Sequence, residues 1–125
     1  MFKIEDFATK IYINLENGIY TFTDYSATGK TRLFNLLKSY KQDNLPILLY
    51  TYSDFLDNRI INPNNNYKLV LIDRYDMFRG NFEQELLELS KKAIVIVDSK
   101  EFLEFTEFDN MCGIDMTPEK IEVYG

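Results

Sequence analysis

The chain contains no histidine and a single cysteine, Cys112. Without imidazole there is no Ser-His-Asp or Cys-His catalysis, no usual zinc site and no histidine proton shuttle near neutral pH. One thiol excludes an intrachain disulfide and a cysteine-based metal cluster, and it suits a reducing cytoplasm. Long apolar runs are also missing. The longest, such as Ala93-Ile94-Val95-Ile96-Val97, are strand-length and far short of the ~20 residues that cross a bilayer. The N-terminus, Met1-Phe2-Lys3-Ile4-Glu5-Asp6, lacks the basic-then-apolar order of a signal peptide. A basic surface is absent too: 14 Lys+Arg stand against 20 Asp+Glu, a net charge of −6. That balance argues against direct nucleic-acid binding, which draws its affinity from neutralised phosphates. No membrane partner is expected, and the expected compartment is cytoplasmic.

What is present is an ordinary globular composition, 46% hydrophobic and 27% charged over 125 residues, which fits one domain spanning 1–125. Ile11, Ile13 and Leu15 alternate with polar neighbours, a strand period, and Asn17-Gly18 suits the tight turn of an N-terminal β-hairpin returning over Ile19–Thr23. From Lys30 the period becomes helical, with Leu33, Leu36, Leu37 and Tyr40 on one stripe. That helix is expected to end at Asp43-Asn44. Ile47–Tyr50 reads as a short buried strand. Ser53 is placed to cap a helix carrying Phe55, Leu56, Arg59 and Ile60, and 62–66 reads as loop. Leu69-Val70-Leu71-Ile72 and Ala93–Val97 are apolar throughout, as strands buried on both faces require. Between them, Asn81 and Gln84 have capping-box spacing ahead of Leu86 and Leu89. Beyond 99 the pattern weakens. Phe102, Phe105 and Phe108 suit one face of a short helix, core packing or a docking patch, and Lys120–Tyr124 suits an edge strand. The alternation predicts an α/β fold with an open, mostly parallel sheet of about five strands and helices on both faces.

Chemistry concentrates where the first strands hand over to the first helix, in Thr23-Asp24-Tyr25-Ser26-Ala27-Thr28-Gly29-Lys30-Thr31. Gly29-Lys30-Thr31 matches the end of the pattern G-x-x-x-x-G-K-[ST]. There a glycine lets the backbone approach a phosphate, a lysine neutralises it and a hydroxyl ligates Mg²⁺. The strand Leu69–Ile72 ends in Asp73 and the strand Ile94–Val97 ends in Asp98-Ser99.

In these segments, over about residues 11–99, the chain resembles the P-loop NTPases, with Asp73 at the Walker B position. The resemblance implies ATP with Mg²⁺ as cofactors. Ala27, Thr28, Gly29, Lys30, Thr31 and Arg32 would line the nucleotide phosphates, with Lys30 on the β/γ phosphates. Thr31 and Asp73 would hold the metal, and Ser99, beside Asp98, would be a polar sensor of the γ-phosphate. The departures are specific. Asp24 replaces the first glycine, Arg74 follows Asp73 where hydrolysing relatives carry a glutamate, and no Leu-Ser-Gly-Gly signature occurs. Catalytic residues are therefore not assigned. Asp54 and Asp76 are the available carboxylates, and Arg74 and Arg79 are either phosphate sensors or surface salt-bridge partners. Three functions follow: a nucleotide-binding domain with weak or partner-dependent ATPase activity, a degenerate P-loop module acting in protein–protein interaction, and a small nucleoside kinase. The kinase reading rests on Asp73-Arg74-Tyr75, which is similar to an element of the thymidylate kinases.

Overall fold

The computed structural model describes residues 2–5, 7–22, 27–40, 46–78, 80–98 and 110–125, with the side chains of 27, 28 and 110 not included. Eight strands form one sheet: β1 (Phe2–Ile4), β2 (Lys10–Asn14), β3 (Gly18–Phe22), β4 (Ile47–Tyr50), β5 (Leu69–Ile72), β6 (Ile94–Val97), β7 (Asn110–Met116) and β8 (Lys120–Tyr124). Three helices accompany them, α1 (Ala27–Tyr40), α2 (Tyr52–Leu56) and α3 (Glu83–Ser90), with a 3₁₀ turn at Tyr75–Met77. The strand order is β1-β2-β8-β7-β3-β6-β5-β4. From β7 to β4 all neighbours are parallel, and β2 and β8 are also parallel to each other. The β1–β2 and β7–β8 pairs are antiparallel.

The expected open, mostly parallel sheet of about five strands is therefore corrected to a mixed, eight-stranded sheet curled into a half-barrel. The curl starts in β7, which pairs with β3 through 110–112 and with β8 through 113–116. Gly113 lies at the change of partner. A β-carbon there would sit 2.8 Å from Cζ of the Tyr124 ring, its register partner, so only glycine lets the ring close over the strand.

The N-terminal hairpin is corrected as well. β2 lies between β1 and β8, while β3 lies between β7 and β6, so the two strands flanking Asn17-Gly18 do not pair with each other. The Gly18 N–H instead donates to the Ala93 carbonyl, 3.2 Å away, starting the β3–β6 ladder. The strand at 120–124 is interior, held by β2 on one side and β7 on the other; β1 and β4 form the edges.

Alternation along the strands sorts the core into two layers. Leu69, Leu71, Ile94 and Ile96 face α1, whose Leu33 and Leu37 pack with Ile11, Ile13, Ile121 and Val123 from the curled end. The sheet wraps this helix: Phe7 stacks on Tyr40 with ring centroids 4.1 Å apart. Val70, Ile72, Val95 and Val97 face the other way, onto Leu86 and Leu89 of α3. Helices do not cover both faces throughout. Lys10, Tyr12 and Asn14 of β2 and Lys120, Glu122 and Tyr124 of β8 alternate with buried neighbours and face outward.

Two helix starts differ from expectation. Thr51, not Ser53, caps α2, and the helix stops at Leu56, leaving Arg59 and Ile60 outside it. Helix α3 starts after Phe82 in a left-handed conformation, with no side-chain cap, because the Asn81 amide donates to the Phe78 carbonyl at 2.9 Å. Asp43-Asn44 and the Phe102/Phe105/Phe108 stripe lie outside the described residues. Among the described residues no helix is long and apolar enough to cross a membrane.

Candidate functional site

The ladders bring three strand ends together. Ile72 and Thr21 both pair with Val97, so Phe22, Asp98 and Asp73 follow side by side at the carboxyl ends of β3, β6 and β5. Ligands of parallel α/β sheets bind outside these ends. Backbone bonds hold the ends level: Asp98 N–H donates to Ile72 O at 2.8 Å, and Asp73 N–H to Tyr50 O at 2.9 Å. Strand parity decides their facing. Leu71 and Ile96 face α1, so Asp73 and Asp98, two residues further on, face it too.

The first turn of α1 lies over these ends. Gly29 packs against β7, where an added β-carbon would meet Ile114 Cγ2 at 3.4 Å. Lys30 is 8% exposed, and its Nζ lies 3.0 Å from Asp98 Oδ1 and 5.8 Å from the Phe22 ring centre. Asp98 Oδ1 is buried and accepts no aligned hydrogen bond, so the contact with Lys30 is an ion pair rather than a directed bond. A cleft of about 90 Å³ opens here, lined by Lys30, Thr31, Asn35, Asp73, Asp98 and the Phe22 ring. As bounded by the described residues it has room for several waters or a phosphoryl-sized group.

The electrostatics are those of two neighbouring carboxylates, Asp98 paired with Lys30 and Asp73 drawn on by Arg74. Burial and then the neighbouring Asp98 push the Asp73 carboxyl above its usual range, against the pull of Arg74. Burial first, and then Asp98, push the Cys112 thiol up to about 12, so it stays protonated and takes no part as a nucleophile. Among the described residues no three acids or thiols converge as a metal cage. One carboxylate and one hydroxyl nevertheless suit Mg²⁺, which keeps most of its waters and borrows phosphate oxygens.

Of the expected site residues, Lys30, Thr31 and Asp73 meet in the cleft. Arg32 does not. Little more than half a helical turn beyond Lys30, it points away and donates to the carbonyls of Thr117 and Pro118 at 3.1 and 3.2 Å. Ala27 and Thr28 form the first turn of α1, with side chains outside the description. Asp24, Arg79 and Ser99 fall outside the described residues. Arg74 has a left-handed backbone and binds Asp76 through two bonds of 3.2 Å. Buried Tyr75 donates to the Asn81 carbonyl at 2.9 Å. Asp98 as the counter-ion of Lys30, and Phe22 beneath the ammonium, were not expected. The signal for Asp98 lay in the matched parity of two four-residue strands, each followed by aspartate.

Asp54 is committed to structure. It completes a capping box with Thr51 and pairs with Arg59 at 3.2 Å. Burial works against its charge, but the Thr51 N–H, the Arg59 guanidinium and the Thr51 hydroxyl together hold the carboxyl below its usual range. With the folded pKa below the unfolded one, the unfolded chain binds more protons in that interval. The stabilisation is therefore complete above the ordinary carboxyl pKa of about 3.9 and disappears as pH falls through the folded value. Urea unfolding between pH 7 and pH 2 should show Asp54→Asn less stable than wild type at pH 7, with the two converging at the acid end. A constant difference at every pH would count against this account.

Comparison with known proteins returned no match to a protein-family model, a curated protein or a solved structure.

Proposed function

We propose that the chain binds a nucleotide through its phosphates, as ATP with Mg²⁺, in the cleft at the start of α1. The observation that carries this reading is a lysine 92% withdrawn from solvent, with its ammonium in a cleft that Thr31 and Asp73 also line. A buried ammonium at the N-terminal end of a 14-residue helix favours an anion, because the helix's unpaired N–H groups add positive potential there. Thr31 and Asp73 would hold the cation, which neutralises phosphate charge when bound; Lys30 would take the outer phosphates. The resemblance of Gly29-Lys30-Thr31 and Asp73 to P-loop NTPases supports the same assignment, in a reducing cytoplasm.

Hydrolysis by the chain alone finds less support, since Asp54 and Asp76, the carboxylates considered as bases, are both engaged by arginines. A base or an arginine would then come from a protein partner. The same engagement favours, as second reading, a non-catalytic P-loop module working through protein contacts. The kinase reading gains nothing, because Arg74 and Tyr75 bond within their own loop.

Calorimetric titration with ATP, with Mg²⁺ and in EDTA, tests the proposal. Wild type should take up Mg-ATP, and Asp73→Asn should bind it no more tightly than wild type binds ATP in EDTA. The same variant should melt above wild type, because it removes a charge disfavoured by burial and by Asp98. Negligible heat from wild type under both conditions would sink the reading.

A further inference from the structure

We propose that Asp98 is a positioning residue that latches Lys30 in the anion-free protein, so that an entering phosphate must displace a carboxylate the chain itself supplies. The inference rests on the phosphate-binding reading above and names the residue that regulates that site. Three observations carry it. The Lys30 side chain is 8% exposed and its ammonium lies 3.0 Å from Asp98 Oδ1; a cation so withdrawn from water needs a counter-ion. The same oxygen accepts no aligned hydrogen bond, so the ammonium is the group compensating its charge among the described residues. Both side chains line the cleft that would receive the phosphate, and among the described residues Lys30 is its one lysine.

Displacement has a consequence next door. Asp98 and Asp73 follow paired residues of adjacent strands and face the same side. When Lys30 turns to a phosphate, two partly buried carboxylates are left together with Arg74, itself paired with Asp76, as the nearby positive charge among the described residues. A divalent cation would relieve that repulsion, so phosphate uptake and cation uptake are coupled through Asp98. Removing its charge should make the anion bind without help from the metal.

The test uses tripolyphosphate, in EDTA and with Mg²⁺, against the full chain. Asp98→Asn should bind the Mg-free anion at least about tenfold more tightly than wild type, the scale of close charge-pair coupling. It should gain less from Mg²⁺ than wild type does. It should also melt at a lower temperature, because Lys30 loses its buried partner. Tighter binding with a lower melting temperature is a combination that a merely structural role would not produce, since loss of structure weakens both. Asp98→Ser serves as a second variant with the same expectations. If wild type binds and both variants bind equally or less tightly, the latch is wrong and the phosphate-binding reading stands. If wild type and both variants bind no tripolyphosphate under either condition, both fall. A wild type that binds only with Mg²⁺, beside variants that bind in EDTA, supports the latch directly.

Discussion

Alanine at Lys30 is expected to weaken Mg-ATP binding about thirtyfold and to lower the stability of the unliganded protein by about 3 kcal/mol. The first figure follows from one charge-assisted bond to phosphate, worth about 2 kcal/mol, or roughly thirtyfold in Kd. The second follows from the ion pair. Removing one partner of a buried pair leaves the other uncompensated at a cost of about 3–5 kcal/mol. The lower end applies because Asp98 keeps 22% of its side chain in water. Urea unfolding of Lys30→Ala, Asp98→Asn and the double variant separates the effects. The double variant should recover much of the loss of the lysine variant, because the carboxylate left behind has also been neutralised. Unchanged stability in Lys30→Ala would show that the pair contributes nothing. An unchanged Mg-ATP affinity would remove the lysine from the proposed site.

The second large effect concerns the helix that carries that lysine. Leu37 is fully buried and belongs to a cluster containing Ile11, Ile13, Ile121 and Val123 from the curled end and Leu71 and Ile96 from the parallel strands. Leu37→Ala opens a cavity where α1 meets both parts of the half-barrel. Such truncations cost about 2–5 kcal/mol, and the higher part of the range applies where strands on both sides are locked in ladders and cannot close in. Leu56, 61% exposed at the end of α2, provides the control; its alanine variant should stay within about 0.5 kcal/mol of wild type. Equal denaturation midpoints for the two variants would mean that α1 is not the seat of the core. Because Lys30 rides on the same helix two turns earlier, a Leu37→Ala protein that still folds should also bind Mg-ATP less tightly.

Much of the parallel part of the sheet was legible in advance. Leu69–Ile72 and Ile94–Val97 are apolar at every position, which only a strand covered on both faces tolerates, and both are strands buried throughout. The stripe through Leu33 and Leu37 is the buried face of α1. β1 and β7 could not be read. Phe2–Ile4 is too short to show a period, and Asn110–Met116 is interrupted by Gly113 and Asp115, residues that weaken a strand pattern. The hairpin failed for a different reason. Asn17-Gly18 has good turn chemistry, but a local turn is worth less than the apolar ladders β3 makes with β6 and β7. The start of α3 after Phe82 shows the same competition, with no side-chain cap at all, whereas α2 starts at the capping box of Thr51 and Asp54, two residues before the expected cap.

The sequence by itself determined that Leu69–Ile72 and Ile94–Val97 are buried throughout, and that Asp73 and Asp98 each share the facing of alternate residues in their own strand. That follows from local geometry, because alternation along a strand does not depend on what the strand pairs with. Only the tertiary structure decided which strands became neighbours. It put β8 between β2 and β7, curled the sheet around α1 and turned Arg32 toward the β7–β8 connection. It also brought Lys30 within 3.0 Å of Asp98. Those outcomes depend on contacts between residues far apart in the chain, whose free energies appear only once competing pairings are compared. The missing histidine, cysteine pairs and basic surface excluded whole chemistries at the outset. The pairing of Lys30 with Asp98, in a cleft that Asp73 also lines, gives the remaining chemistry a location.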